Sequence, residues 1–254
     1  MMKQYFFKTI LAMMFLGALP LMTNAQKVAP KKNVTTKAKK TVIAKPKPVA
    51  KIVKPIKVEP IPGVRVKLTT EFGDMVIRLY DKTPQHRDNF IKLVKEKFYD
   101  SLLFHRIIST FMIQGGDPNS KNAQPSEMLG MGDVGYTIPA EFDTAFYHKK
   151  GALAAARTDN PERASSGCQF YIVQGKQYTD AELNMVEARM GRKIPAVQRM
   201  TYKMVGGTPF LDLNYTVFGE VESGLDVLDK IAAIPKNQSD RPEKDIRMFI
   251  QMID

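Results

Sequence analysis

The 254-residue chain has no tryptophan, one cysteine and only three histidines. A lone Cys168 cannot form an intrachain disulfide. No electropositive neighbour marks it as a reactive thiol, so it reads as a small buried residue. His86, His105 and His148 lack metal-ligand spacing, and no metal site is expected. Long apolar runs are also missing. The longest, Thr9–Met22, covers 14 uncharged residues and is broken by Pro20, short of the roughly 20 needed to span a bilayer. With Lys3 and Lys8 before it and Thr23-Asn24-Ala25 after it, it has the layout of a secretion signal cleaved after Ala25. The alternative is an uncleaved anchor. No Cys follows it to carry a lipid.

Residues 26–60 lack aromatics and hold eleven lysines, five prolines and one acid, Glu59. Such a segment cannot bury enough apolar surface to offset its ordering entropy. Lys45-Pro46-Lys47-Pro48 favours polyproline II. The segment reads as a disordered linker: either a solvated spacer or an electrostatic tether to an anionic envelope surface. The net charge of +12 belongs to these ends. Residues 61–254 carry 25 basic and 25 acidic side chains, so no basic patch for nucleic acid is expected.

Residues 61–254 are long enough for a real core. Strand periodicity appears at 64–70 and 75–80, then in short runs at 102–108, 111–115, 152–156, 169–173, 215–221 and 245–252. Thr83-Pro84 opens a helix, with Thr83 as N-cap. Ser223–Asp226 opens another. Many short strands with two separated helices suggest a closed barrel capped at its ends. Residues 176–208 interrupt this pattern as a helical insertion, beginning with the capping box Thr179–Glu182. Gly130-Met131-Gly132-Asp133-Val134-Gly135 matches a dinucleotide fingerprint, but no strand precedes it and Pro139 forbids the helix after it. It reads as a loop. Ser165, Ser166, Asp117 and His105 do not form a hydrolase motif.

The most informative stretch is Phe104-His105-Arg106-Ile107-Ile108-Ser109-Thr110-Phe111-Met112-Ile113-Gln114-Gly115-Gly116-Asp117-Pro118. Alternation sets His105, Ile107, Phe111 and Ile113 on one face and Arg106, Met112 and Gln114 on the other. One guanidinium among Met, Gln and Phe suggests an apolar pocket with a fixed cationic donor.

This stretch resembles the signature of cyclophilin-type peptidyl-prolyl isomerases. Gly151–Arg157, Ala164–Ile172 and Phe210–Val221 match the family in the same order, so the resemblance covers about 64–253 apart from the insertion. It implies a closed eight-stranded antiparallel barrel with two capping helices. It implies Arg106, Phe111 and Gln114 as catalytic residues. Met112, Ala156, Arg157, Gln169, Tyr171, Phe210, Leu211 and Tyr215 would bind substrate. No cofactor is implied. Tyr171 stands where the family often has Phe, Phe210 where it often has Trp, Tyr215 where it often has His, and Arg157 where Asn is common. The Trp position matters for cyclosporin, so Phe210 argues against tight inhibition. Phe170 reads as core. The expectation is a monomeric, exported bacterial isomerase, periplasmic or extracellular, that assists protein folding by acting on proline-containing polypeptides. The alternatives are a non-catalytic peptide-binding or chaperone module on the same barrel, and a structural tether built on the Lys-rich segment.

Overall fold

The computed structural model describes residues 63–125 and 127–253. The secretion-signal and linker expectations lie outside the described residues. Strands β1 (Arg65–Thr70) and β2 (Gly73–Leu79) form a hairpin in which Val66, Leu68, Met75, Ile77 and Leu79 face the interior. Helix α1 (Pro84–Lys95) follows, then the hairpin β3 (Phe104–Ile108) and β4 (Met112–Gly115). Two-residue β5 (Thr137–Ile138) pairs with β7 (Ser165–Ser166). Strands β6 (Ala152–Ala155), β8 (Phe170–Val173), β9 (Val217–Ser223) and β10 (Phe249–Ile253) complete one antiparallel sheet, ordered β10-β1-β2-β9-β6-β8-β4-β3.

This sheet curls around one core. Its edge strands β3 and β10 do not pair as a ladder, so the expectation of a closed barrel is met only as an eight-stranded curl. The residues beside those edges do meet. Leu103 bridges Arg247, with Phe104 N–H donating to Ile246 O at 2.9 Å and Met248 N–H to Leu102 O at 2.9 Å. Four α-helices are present among the described residues. Two are α1 and α4 (Leu225–Ala232), which bury Phe90, Leu93, Leu228 and Ile231 against the sheet core. The other two, α2 (Asp180–Met190) and α3 (Ala196–Met204), form the insertion. There the capping box is complete: Thr179 Oγ1 accepts from Glu182 N–H, and the Glu182 carboxylate accepts from Thr179 N–H. Leu183, Ile194 and Tyr202 give the insertion its own small core.

The start of α1 departs from expectation. Thr83 precedes the helix but makes no side-chain cap; its hydroxyl bonds Tyr80 O. The free N–H groups of Gln85 and His86 are instead met by the two oxygens of Glu141, at 3.1 and 3.0 Å. A distant carboxylate thus does the work a local cap normally does, and its charge suits the helix N-terminus.

Strands β4, β6 and β8 are buried on both faces, which is why they read as near-continuous apolar runs. Ile113, Leu153, Ala155, Phe170 and Ile172 point into the curl. Met112, Ala152, Ala154, Tyr171 and Val173 point out, into a second cluster that includes Phe111, Leu211 and Tyr215. The period of two divides one strand set between a core and a cleft.

Because Glu141 also holds the His86 ring, Glu141→Ala should destabilise the fold by on the order of 3 kcal/mol, a lost cap plus a buried group left unpaired. Glu141→Gln, which keeps an acceptor, should lose less. Urea unfolding of the two variants checks this.

Candidate active site

The cleft on the outer face holds about 160 Å³ and is lined by Arg106, Phe111, Met112, Gln114, Ala156, Arg157, Tyr171, Leu211 and Tyr215. Nine of the eleven residues singled out from the sequence therefore share one cavity. Arg106 and Gln114 face each other in the β3–β4 register, and Met112 projects to the same side. Phe111 does not follow the expected alternation. The strands are joined through Ser109–Phe111, with Thr110 at φ +62° and Phe111 N–H bonded to Ile108 O. That left-handed residue breaks the period and turns Phe111 to the cleft side, beside Met112. His105 sits in the β-bulge between Phe104 and Arg106, and its ring lies against Gly130.

The polar edge is a directed chain. Arg106 Nη1 donates to Gln114 Oε1 at 3.3 Å, and Gln114 Nε2 donates to Gln169 Oε1 at 3.1 Å. Gln169 Nε2 donates to Gly130 O at 3.0 Å and Gly132 O at 2.7 Å. Gln169 is therefore consumed behind the cleft rather than lining it. Arg106 also lies 3.8 Å from Asp240, and its side chain remains 42% exposed, leaving its other donors turned to solvent and cleft. Phe210 is also off the lining. It stands half-exposed on the rim, its ring stacked 5.9 Å from Phe111.

The opposite wall is aromatic. Tyr171 and Tyr215 meet edge-on at 5.9 Å. The Arg157 guanidinium covers the Tyr215 ring at 4.7 Å and bonds Asn214 O. Such a stacked cation keeps its aromatic partner oriented. Leu211 closes the floor from the short turn Pro209–Leu211.

The glycine-rich segment is a loop beside this cleft. Asp117 caps the short turn Pro118–Asn122, accepts from Asn119 N–H, and also takes the N–H of Gly130. Asp117 was not assigned a role from the sequence, although Asp-Pro at a turn start was a signal for it. Beyond Arg106 and Gln114, a second groove of about 400 Å³ runs under Glu127–Met131.

One catalytic lookalike lies elsewhere. His86 Nε2 is 3.0 Å from Ser165 Oγ, and its Nδ1 is 2.7 Å from Glu141 Oε2. The distances are those of a nucleophile–base–carboxylate relay. Yet Ser165 is 1% exposed and the adjoining void holds about 10 Å³, too little for any acyl group. The trio is a structural latch between α1 and β7. Cys168 is buried as expected, and burial pushes its thiol up to about 11, so it is not a thiolate near neutral pH.

Residues 65–250 match the family described as cyclophilin type peptidyl-prolyl cis-trans isomerase/CLD. A Staphylococcus epidermidis protein named for peptidyl-prolyl cis-trans isomerase activity is 35% identical over 192 residues, covering 75% of this chain and 91% of its own length. A Streptococcus pyogenes protein named as a bifunctional phosphatase/peptidyl-prolyl cis-trans isomerase is 37% identical over 187 residues. The match covers 72% of this chain but only 37% of that longer protein. Among solved structures, a Cryptosporidium parvum cyclophilin-type isomerase aligns with TM-score 0.57 at 22% identity, covering 75% of this chain and 98% of its own. The same protein solved in the presence of the dipeptide Ala-Pro aligns with TM-score 0.54.

His105 offers a test of the site's surroundings. Burial, aided by Arg106 and Arg241 and opposed by Asp117, lowers its pKa to about 4. Between pH 6.5 and 4 the unfolded chain takes up a proton that the folded chain refuses, so stability falls as pH falls. At ~1.4 kcal/mol per pH unit the loss reaches about 3 kcal/mol by pH 4. Urea unfolding across this range should show it, and His105→Gln should flatten it. An unchanged slope in that variant would assign the pH dependence to other groups.

Proposed function

The chain belongs to the cyclophilin-type peptidyl-prolyl cis-trans isomerases, and from that membership we propose how its cleft turns an X–Pro bond. The imide is held planar by resonance, and rotation requires its nitrogen to lose conjugation. No bond to carbon is broken, so the task is to favour the twisted state over both planar ones. Phe111, Met112, Leu211 and Tyr215 form the seat for the proline ring. Arg106 donates to the prolyl nitrogen, or to the carbonyl beside it, as conjugation is lost. Gln114 holds the guanidinium and offers its amide edge to the substrate backbone. Ala156 and Arg157 flank the bound chain, and Phe210 shields the rim.

Magnitudes divide the labour. Uncatalysed rotation takes tens to hundreds of seconds. Reaching about a millisecond means a factor of ~10⁴ to 10⁵, or roughly 5.5–7 kcal/mol. A hydrogen bond from a charged donor supplies about 1.5–3 kcal/mol. Arg106 alone is insufficient. The remainder falls to the apolar wall, which excludes water, strengthens the donor's field and fixes the ring. The observation that carries this reading is the convergence of the Arg106 guanidinium, held by Gln114, and an aromatic–aliphatic wall on one small cavity.

The same reading takes the curled sheet as the family's barrel, with the Leu103–Arg247 bridge as its seam. It also takes the enzyme as exported. The support is the basic start, short apolar run and small-residue site of residues 1–25, and the lysine-rich composition of 26–60. In the envelope it would assist folding of proline-containing chains, with 26–60 as spacer or as tether to anionic surfaces.

Two measurements test these proposals. Isomerisation of a short X–Pro peptide should be fast with the wild type. It should fall about 10- to 100-fold in kcat/KM for Arg106→Ala, the equivalent of one charged hydrogen bond. Binding without catalysis in the wild type would favour a peptide-binding module, and unchanged catalysis in the variant would remove Arg106 from the mechanism. For export, N-terminal sequencing of protein recovered from an envelope fraction should begin at Gln26. Recovery of an intact Met1 terminus from the cytoplasm would refute it.

A further inference from the structure

We propose that the helical insertion positions the aromatic wall of the cleft through a buried hydrogen-bonded chain, Tyr202–Asp212–His148–Tyr171. Tyr202, Asp212 and His148 are thereby positioning residues for proline binding. The inference rests on the isomerase reading above and gives the insertion a role in it.

The chain is continuous. Tyr202 of α3 donates its hydroxyl to Asp212 Oδ2 at 2.7 Å. Asp212 Oδ1 accepts from the His148 backbone N–H at 2.8 Å and from His148 Nδ1 at 2.9 Å. His148 Nε2 lies 2.9 Å from the Tyr171 hydroxyl. A carboxylate only accepts, so the imidazole proton sits on Nδ1. In the neutral imidazole Nε2 is then the acceptor and Tyr171 the donor. Every hydrogen-bonding atom along the path has its complement. All four side chains are buried, none more than 5% exposed, where such chains are strongest and an unmatched member is most costly.

Both ends of this path matter. At one end Tyr171 is a wall of the cleft, stacked on His148 at 13° between planes and edge-on to Tyr215. Its hydroxyl, pointed away from the cavity and held by His148, leaves only ring surface for a proline. At the other end the insertion grips Asp212 twice, because Arg192 also donates to Asp212 O at 2.8 Å. Asp212 directly follows Leu211, the floor of the cleft. The insertion therefore restrains floor and wall together, without touching the cavity.

Tyr202→Phe removes one hydroxyl and keeps the ring that packs on Tyr147 and Tyr178. For an X–Pro peptide, kcat/KM should fall about three- to tenfold, within the coupling found between members of one network. Made on a Tyr171→Phe background, where the chain is already cut at the cleft, the same change should leave kcat/KM nearly unaltered while still lowering Tm. Two results overturn the proposal: a lower Tm with kcat/KM unchanged in the single variant, or equal proportional losses on both backgrounds. Should the wild type prove inactive, the isomerase reading falls but the chain is still tested. The Tyr171 ring resonances must then shift in Tyr202→Phe, and unshifted resonances overturn it.

Discussion

A guanidinium has five donors and no acceptor, and this asymmetry orders the whole polar edge of the cleft. Since Arg106 must donate, Gln114 must turn its oxygen toward it and its amide nitrogen away. Gln169 must then repeat the orientation, and the Gly130 and Gly132 carbonyls terminate the sequence. One residue's chemistry thereby sets two amide orientations and anchors a loop. Reversing either glutamine would place donor against donor. The cationic donor is held in place before any substrate arrives, the condition under which electrostatic stabilisation is most effective.

Much of this was legible in the chain because the sheet's period of two is simple. The alternation of Arg106 and Gln114 with Ile107 and Ile113 separates cleft from core directly. The β1–β2 hairpin, the insertion and its capping box were equally plain. What failed had non-local or conformational causes. Phe111 was set on the wrong face because a left-handed Thr110 interrupts the alternation. Thr83 has the right chemistry for a cap, but Glu141 reaches the same N–H groups from 56 residues away. Gln169 and Phe210 belong to the motif without lining the cavity, a distinction only packing makes. Residues 148, 171, 202 and 212 share no spacing rule, so their chain could not be read from a period or a motif.

The two histidine networks show how little geometry alone decides. His86 with Glu141 and Ser165 has the distances of a hydrolytic relay, but the surrounding space excludes substrate. His148 with Asp212 and Tyr171 resembles it in partners and distances, but abuts a cavity that a ring can enter. Both rings are buried and both bridge a carboxylate to a hydroxyl. What separates a latch from a support for chemistry is whether the far partner borders open volume.

The insertion leaves and rejoins the sheet at almost one point. Lys176 and Gly207 exchange backbone hydrogen bonds, and a Cβ on Gly175 would collide with the Gly207 backbone. A segment with such a neck is modular. Its closure is set at the base, so changes in its length or outer surface need not move the strands on either side. The exposed faces of α2 and α3, where Met185, Val197, Met200 and Met204 stand in solvent, are thus free to diverge in sequence. The inward-turned Tyr202 and Arg192 carry a fixed obligation to Asp212, as Gln198 and Thr201 do to Thr144 and Tyr147. Grafting and evolutionary drift would both be expected to spare those four positions and vary the solvent-facing ones.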